Sequence, residues 1–179
     1  PRHRRSQPEG VRTPFEVKTF QKVTGKLLWV ISKLRVDYAY DLATLQKEKG
    51  RKGGPRVGAL IRANQVIRNI KADPAFQLTF RTIPLDEGGM VAVSDSSLGN
   101  VMPDGASLPC DPVTDKISTQ GGYLILWASR SLVEGGLGEF SLIDGKSFKP
   151  KRAARSSYAA EVVAVGDAVD EAQGIRDQM

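Results

Sequence analysis

Three stretches decide the fold of this chain: VAVSDSS at 91–97, GGYLILW at 121–127 and SSYAAE at 156–161. The first two are apolar runs rich in β-favouring residues, which are typical of strands in a partly buried sheet. The third places serines at a cap position before an alanine-containing apolar run, which predicts a helix as far as about Gln173. The order therefore predicts strands followed by a helix that packs over them.

The residues before this region have helical periodicity instead. One face of the first predicted helix carries Phe20, Val23, Leu27, Ile31 and Leu34. Residues at every third or fourth position share a helix face, and Lys22, Lys26 and Lys33 occupy the remaining surface. A second helix is predicted over 36–45 and a third from Pro55 to just before Asp73. The N-terminal half is thus predicted to be helical.

After the predicted helices, apolar residues recur at every second position instead of at every third or fourth. The predicted strand segments are Phe76–Phe80, Met90–Val93, Tyr123–Ala128 and Glu139–Ile143. Ser96–Thr119 is a long Gly-, Pro- and Ser-rich connection. The last helix is predicted to bury Tyr158, Val162, Val165, Val169 and Ala172. Trp29 and Trp127 are predicted to belong to the core.

Composition limits the chemistry. Of 179 residues 40% are hydrophobic, and no apolar run approaches the length that spans a bilayer. The single cysteine, Cys110, excludes an internal disulfide, and the single histidine, His3, argues against zinc sites and Ser-His-Asp chemistry. The net charge of +6 favours a polyanionic partner. The chain is predicted to be intracellular with no membrane partner, and any catalysis is predicted to rely on carboxylates.

Two acids suit such chemistry. Asp95 ends a predicted core strand, and Glu161 lies in the first turn or so of the last helix. Because a sheet and the helix packed over it can bring such side chains together, the pair predicts an oxygen-ligand site for divalent metal. The simpler alternatives are that Asp95 forms a turn and that Glu161 complements the helix dipole.

An ordered series of motifs resembles one known family. The motifs are TGKLLWV (24–30), RVDYAY (35–40), RANQVIRNIK (62–71), SD (94–95), STQGGY (118–123) and SSYAAE (156–161). Together they resemble the C-terminal part of a copia-type LTR retrotransposon Pol polyprotein, from the reverse transcriptase thumb and connection into the ribonuclease H domain. The resemblance implies an α+β fold, in which a thumb/connection-like helical part precedes a partial ribonuclease H-like α/β domain of three antiparallel strands and a helix.

The same resemblance implies a division of the chain and a function. Residues 1–14 would be a flexible basic leader, 15–74 the connection-like segment and 75–179 the ribonuclease H-like part, truncated at its C-terminus. Asp95 and Glu161 would be catalytic ligands of two Mg²⁺ ions that cut the RNA strand of an RNA–DNA hybrid. The family's third and fourth acids would follow Met179, so the fragment alone is expected to be inactive. Its partners would be nucleic acid and the rest of the polyprotein, in a cytoplasmic virus-like particle or the nucleus.

Basic residues could contact the nucleic acid. The candidates are Lys149, Lys151, Arg152, Arg155, Arg62 and Arg68. Solvated loop and helix surfaces are the simpler account of these charges. Two further hypotheses remain open: a catalytically dead retroelement remnant that acts as a basic nucleic-acid-binding or scaffold module, and an unrelated α+β domain whose acids are structural.

Overall fold

The computed structural model describes residues 13–50, 54–98, 119–150 and 156–179. The chain divides into two compact units, 1–77 and 78–179. The first is helical in its described part, and the second combines a three-stranded antiparallel sheet with helices. The protein is therefore of mixed α+β class, and the units meet three residues after the predicted boundary of 74/75.

The described part of the first unit contains three helices, α1 (Pro14–Lys33), α2 (Ala39–Lys49) and α3 (Val57–Ala72), with a 3₁₀ turn at Val36–Tyr38. A capping box starts α1, because the Thr13 side chain accepts from the Glu16 backbone N–H while the Glu16 carboxylate accepts from Thr13 N–H. Proline at the first position of α1 needs no hydrogen-bond partner for its nitrogen. Local sequence thus fixes where α1 begins.

The core of this unit lies where the three helices face each other. Its buried members are Phe20, Leu27, Ile31, Leu42, Leu45, Ala59, Ala63 and Val66. The predicted apolar stripe of α1 supplies the first three, while Leu34 at its end is exposed. In α3 Ala59 and Ala63 are buried and Ile61 is exposed, so small residues contribute to the buried face there.

A buried arginine ties the end of α3 to the end of α1. The Arg35 guanidinium donates to both carboxylate oxygens of Asp37, at 3.0 and 2.8 Å, and to the backbone oxygen of Asp73 at 3.4 Å. It also stacks over the rings of Tyr38 and Phe76, 4.9 and 4.3 Å from their centroids. The ring of Phe76 covers the arginine, and 76–80 is irregular chain, so the strand predicted there is wrong.

The second unit is built on strands β1 (Gly88–Leu98), β2 (Thr119–Ser129) and β3 (Phe140–Phe148), in the order β1-β2-β3. All pairings are antiparallel, and β1 and β2 pair without a register shift from Gly88↔Ser129 to Leu98↔Thr119. A shift between Ile125 and Leu126 interrupts the β2–β3 pairing. A single helical turn, α4 (Arg130–Val133), follows β2.

Helix α5 (Ser157–Arg176) packs on β1 and β2 through its alanines. Ala160, Ala164 and Ala168 are buried, whereas the predicted stripe of Tyr158, Val162, Val165 and Val169 is exposed. That prediction is wrong, because α5 carries two apolar faces and alanine lets the helix axis come closest to the sheet. Ala172 is partly buried at the core edge.

The two tryptophans differ from each other. Trp29 is 64% exposed, so its prediction as a core residue is wrong. Trp127 is half-buried, and its indole N–H donates to the Ile83 carbonyl at 3.2 Å. Each unit thus contains one tryptophan in a different environment.

Cys110 and most of the long connection 96–119 lie outside the described residues.

Candidate nucleic-acid interface

The structure assigns the two predicted metal ligands to different surroundings. Asp95 pairs with Gly122 in the β1–β2 register and is exposed. Tyr123 and Ile125 form the buried core with Ala168 of α5, so α5 covers the face that those two side chains share. Because side chains alternate along a strand, Asp95 belongs to the opposite face of the sheet.

Glu161 is partly buried on α5, next to the fully buried Ala160. Since α5 lies on the other face of the sheet from Asp95, the register does not direct both carboxylates into one space. The described residues also contain no cluster of three or more Asp, Glu, His or Cys side chains suited to a metal ion. The register gives no support for a magnesium site shared by these two carboxylates, and their joint role stays a prediction.

The basic residues predicted to contact nucleic acid differ in their exposure and in their ion pairs. Lys149 and Arg68 are exposed, and the Arg68 guanidinium donates to the Gln65 side-chain oxygen at 3.5 Å. Arg62 is held within its unit, because it pairs with Asp41 at 3.0 Å and lies over the Tyr40 ring. Lys151, Arg152 and Arg155 lie outside the described residues.

A different basic surface stands out on α1. The exposed side chains along one ridge of this helix are Phe15, Lys18, Lys22, Lys26, Trp29 and Lys33. At 100° per residue the six fall within an arc of roughly 80°, and 18 residues of rise make the ridge about 27 Å long. We call these six residues the α1 ridge. It points almost directly away from the buried face that carries Phe20 and Ile31.

The α1 ridge is electrostatically uncompensated. Its four lysines make no ion pair within the described parts of the chain, and the one acid of α1, Glu16, is engaged with Thr13. Successive lysines at four-residue spacing rise about 6 Å. Such a row of unpaired ammonium groups attracts a polyanion, and two aromatic rings lie within the same row.

Sequence reasoning missed this ridge for an identifiable reason. Periodicity predicts the lysines on the exposed side of α1, whereas hydrophobicity alone predicts Trp29 in the core. The signal was available in the spacing, because positions 15, 18, 22, 26, 29 and 33 repeat at three or four residues. A tryptophan in phase with lysines, and out of phase with Phe20 and Leu27, belongs to the solvent face.

Comparison with protein-family models, curated proteins and solved structures finds no match. In the described residues no helix is long and apolar enough to cross a membrane. Among the described residues, the α1 ridge is an organised basic surface. Lysines that track phosphates and exposed rings that stack on bases together suit single-stranded nucleic acid.

Proposed function

We propose that this chain is a nucleic-acid-binding module, derived from a retroelement polyprotein, that holds a single-stranded segment along the α1 ridge. The observation that supports the proposal is that four unpaired lysines and two exposed aromatic rings lie on the same face of α1. Lysines would neutralise phosphates without reading sequence, and Trp29 would stack on a base.

The ridge suits nucleic acid better than an anionic membrane. An amphipathic helix binds a membrane by burying a broad apolar face between the headgroups. The apolar face of α1 is already used against α2 and α3, through Phe20, Leu27 and Ile31. What remains outside is mainly charge, with two separate rings.

Fluorescence anisotropy with a labelled 20-nucleotide single strand, across a salt series, tests the proposal. If four lysines each neutralise one phosphate, the slope of log K against log salt should be about −3. Lys22→Gln with Lys26→Gln should reduce the slope to about half of that. The matched control, Lys49→Gln with Lys71→Gln, removes the same charge from exposed positions on α2 and α3 and should leave the slope nearly unchanged.

Trp29 provides a second, independent measurement. With Trp127→Phe as background, base stacking should quench the remaining tryptophan fluorescence on binding. Trp29→Ala should weaken binding by roughly 5- to 150-fold, since stacking on one aromatic ring contributes about 1–3 kcal/mol. Trp29→Phe should retain most of the affinity. Equal losses in the ridge and control pairs, or tighter binding to anionic vesicles than to the strand, would refute the proposal.

Metal-dependent cleavage of an RNA–DNA hybrid is the second candidate. The order of β1, β2, β3 and α5, with Asp95 on the first strand and Glu161 near the start of the helix, favours it. Because the register separates the two carboxylates, we build no hydrolysis step on them. Hybrid cleavage in Mg²⁺ that is lost in both Asp95→Asn and Glu161→Gln would establish this second function.

A further inference from the structure

Helix α5 carries an apolar face that does not pack on the sheet. Its members Val162, Val165 and Val169 are 53%, 50% and 43% exposed. At 100° per residue, these valines lie about 130° around the helix from the alanines that contact the sheet. Exposed apolar side chains that follow one line along a helix are typical of a surface that a partner covers.

The spacing continues beyond the valines. Positions 158, 162, 165, 169, 172 and 176 are separated alternately by four and three residues, which is the heptad spacing of helices that pack along their length. They fall within an arc of about 80° and span about 27 Å of helix. We call these six residues the valine face: Tyr158, Val162, Val165, Val169, Ala172 and Arg176. Its spacing indicates that the occupant is another helix.

The charges of α5 favour a protein over a polyanion at this face. The helix contains four acids and one base, which gives it a net charge of −3. Such a helix repels a phosphate backbone and an anionic membrane surface. Asp167, Asp170 and Glu171 lie more than about 100° around the helix from the centre of the valine face. These three acids therefore leave the face open to a second helix of the same charge.

The valine face is complementary to itself when two copies of α5 run in opposite directions. If Val165 of one copy is level with Val169 of the other, the remaining positions also fall into pairs. These pairs are Val162 with Ala172, and Tyr158 with Arg176. Three pairs, each formed twice by symmetry, would thus use every member of the face.

The antiparallel arrangement also gives the one base of α5 suitable partners. Within the described chain Arg176 has a weak contact with the exposed Asp177 at 3.6 Å. Across the pair it would lie over the ring of Tyr158, which is 77% exposed, and within one turn of Glu161 at the border of the face. A parallel pair would instead bring the two Arg176 side chains together and align the two helix dipoles.

We propose that this chain forms a homodimer through antiparallel packing of the valine faces of two copies. Two helices in contact over this length bury on the order of 1,000 Å² in total, which is the low end for specific interfaces. The dimer should therefore be weak, with a dissociation constant of about 10–100 μM. The proposal does not depend on the α1 ridge or on nucleic-acid binding.

Sedimentation velocity of the full chain, from about 1 to about 300 μM, tests the proposal by the ratio of monomer to dimer. Val165→Glu places two like charges in the centre of the interface and should weaken association at least tenfold. The matched control is Val93→Glu, a half-exposed valine on the sheet face that α5 does not cover, and it should associate as the parent does. A chain that stays monomeric at every concentration would overturn the proposal, as would a dimer that Val165→Glu leaves intact.

Cross-linking tests the direction of the helices. In a Cys110→Ser background, Val162→Cys and Ala172→Cys chains should form mixed disulfides when they are combined under oxidising conditions. Neither chain should cross-link with its own kind, because like positions would be about 15 Å apart, beyond the reach of a disulfide. Preferential cross-linking of like chains would show a parallel pair and refute the arrangement.

A charge exchange tests the role of Arg176. Arg176→Glu should weaken the dimer by about tenfold or more, because it loses the contact with the tyrosine ring and opposes Glu161 of the other copy. Adding Glu161→Lys to that variant should recover part of the affinity, since opposite charges then meet again. No recovery in the double variant would contradict the pairing of these two positions.

Discussion

Replacing Ala164 by Leu tests how α5 is rotated against the sheet. Ala164 is fully buried in the middle of the alanine face, whereas the neighbouring Val165 is 50% exposed. A leucine adds three carbon atoms where the helix approaches the sheet most closely. Overpacking of this kind costs about 2 kcal/mol, within a usual range of roughly 1–3 kcal/mol.

Val165→Ala is the matched variant on the other apolar face. It removes a half-exposed side chain and gains helix propensity, so the free energy of unfolding should change by less than about 0.5 kcal/mol. With a urea m-value of about 2 kcal/mol/M, Ala164→Leu should lower the unfolding midpoint by about 1 M and Val165→Ala by almost nothing.

The assay is urea unfolding followed by fluorescence of Trp127, which lies in the same unit as α5. A Trp29→Phe background removes the tryptophan fluorescence of the helical unit, so that the signal reports only the unfolding of the unit that contains α5. If Val165→Ala lowers the midpoint by about 1 M while Ala164→Leu leaves it unchanged, the valine face contacts the sheet and the packing described above is wrong.

Further predictions concern the helical unit, followed by Trp29 fluorescence in urea. Phe20→Ala should destabilise this unit by about 3–5 kcal/mol, since Phe20 is fully buried; a loss below about 1 kcal/mol would contradict its place in the core. Gly25→Ala should stabilise the unit by about 1 kcal/mol, because an added methyl group meets no atom within 4 Å; destabilisation would indicate a hidden contact on α1. Arg35→Lys keeps the charge but loses the forked contact with Asp37 and the stacking on two rings, so unfolding should occur at lower urea. An unchanged midpoint would show that charge alone matters there.

Periodicity and caps located most elements. The spacing of apolar residues in α1 predicted Phe20, Leu27 and Ile31 in the core, and all three are buried. The helix predicted from Pro55 and the strand predicted at 123–128 are present, although the strand is longer. These features depend on neighbours in sequence, which is why a single chain suffices to predict them. The strand predicted at Phe76–Phe80 is wrong, because the Phe76 ring packs on Arg35, 41 residues earlier, instead of on a sheet.

The candidate sites were less accessible to sequence reasoning. A pair of acids predicts a metal site only if both side chains reach one space, and strand register decides that for Asp95. The α1 ridge, by contrast, can be predicted from the three- and four-residue spacing of its members, provided that Trp29 is assigned to the same helix face as the lysines.

The amino-acid sequence by itself determined the helical first half, the strands of the second, the cap of α1 and the basic character of the chain, because each follows from local periodicity and composition. Only the tertiary structure decided which apolar face of α5 meets the sheet and which face of β1 carries Asp95. The physical reason is that helix rotation and strand pairing are set by close packing between distant segments, where small alanines allow an approach that larger valines prevent.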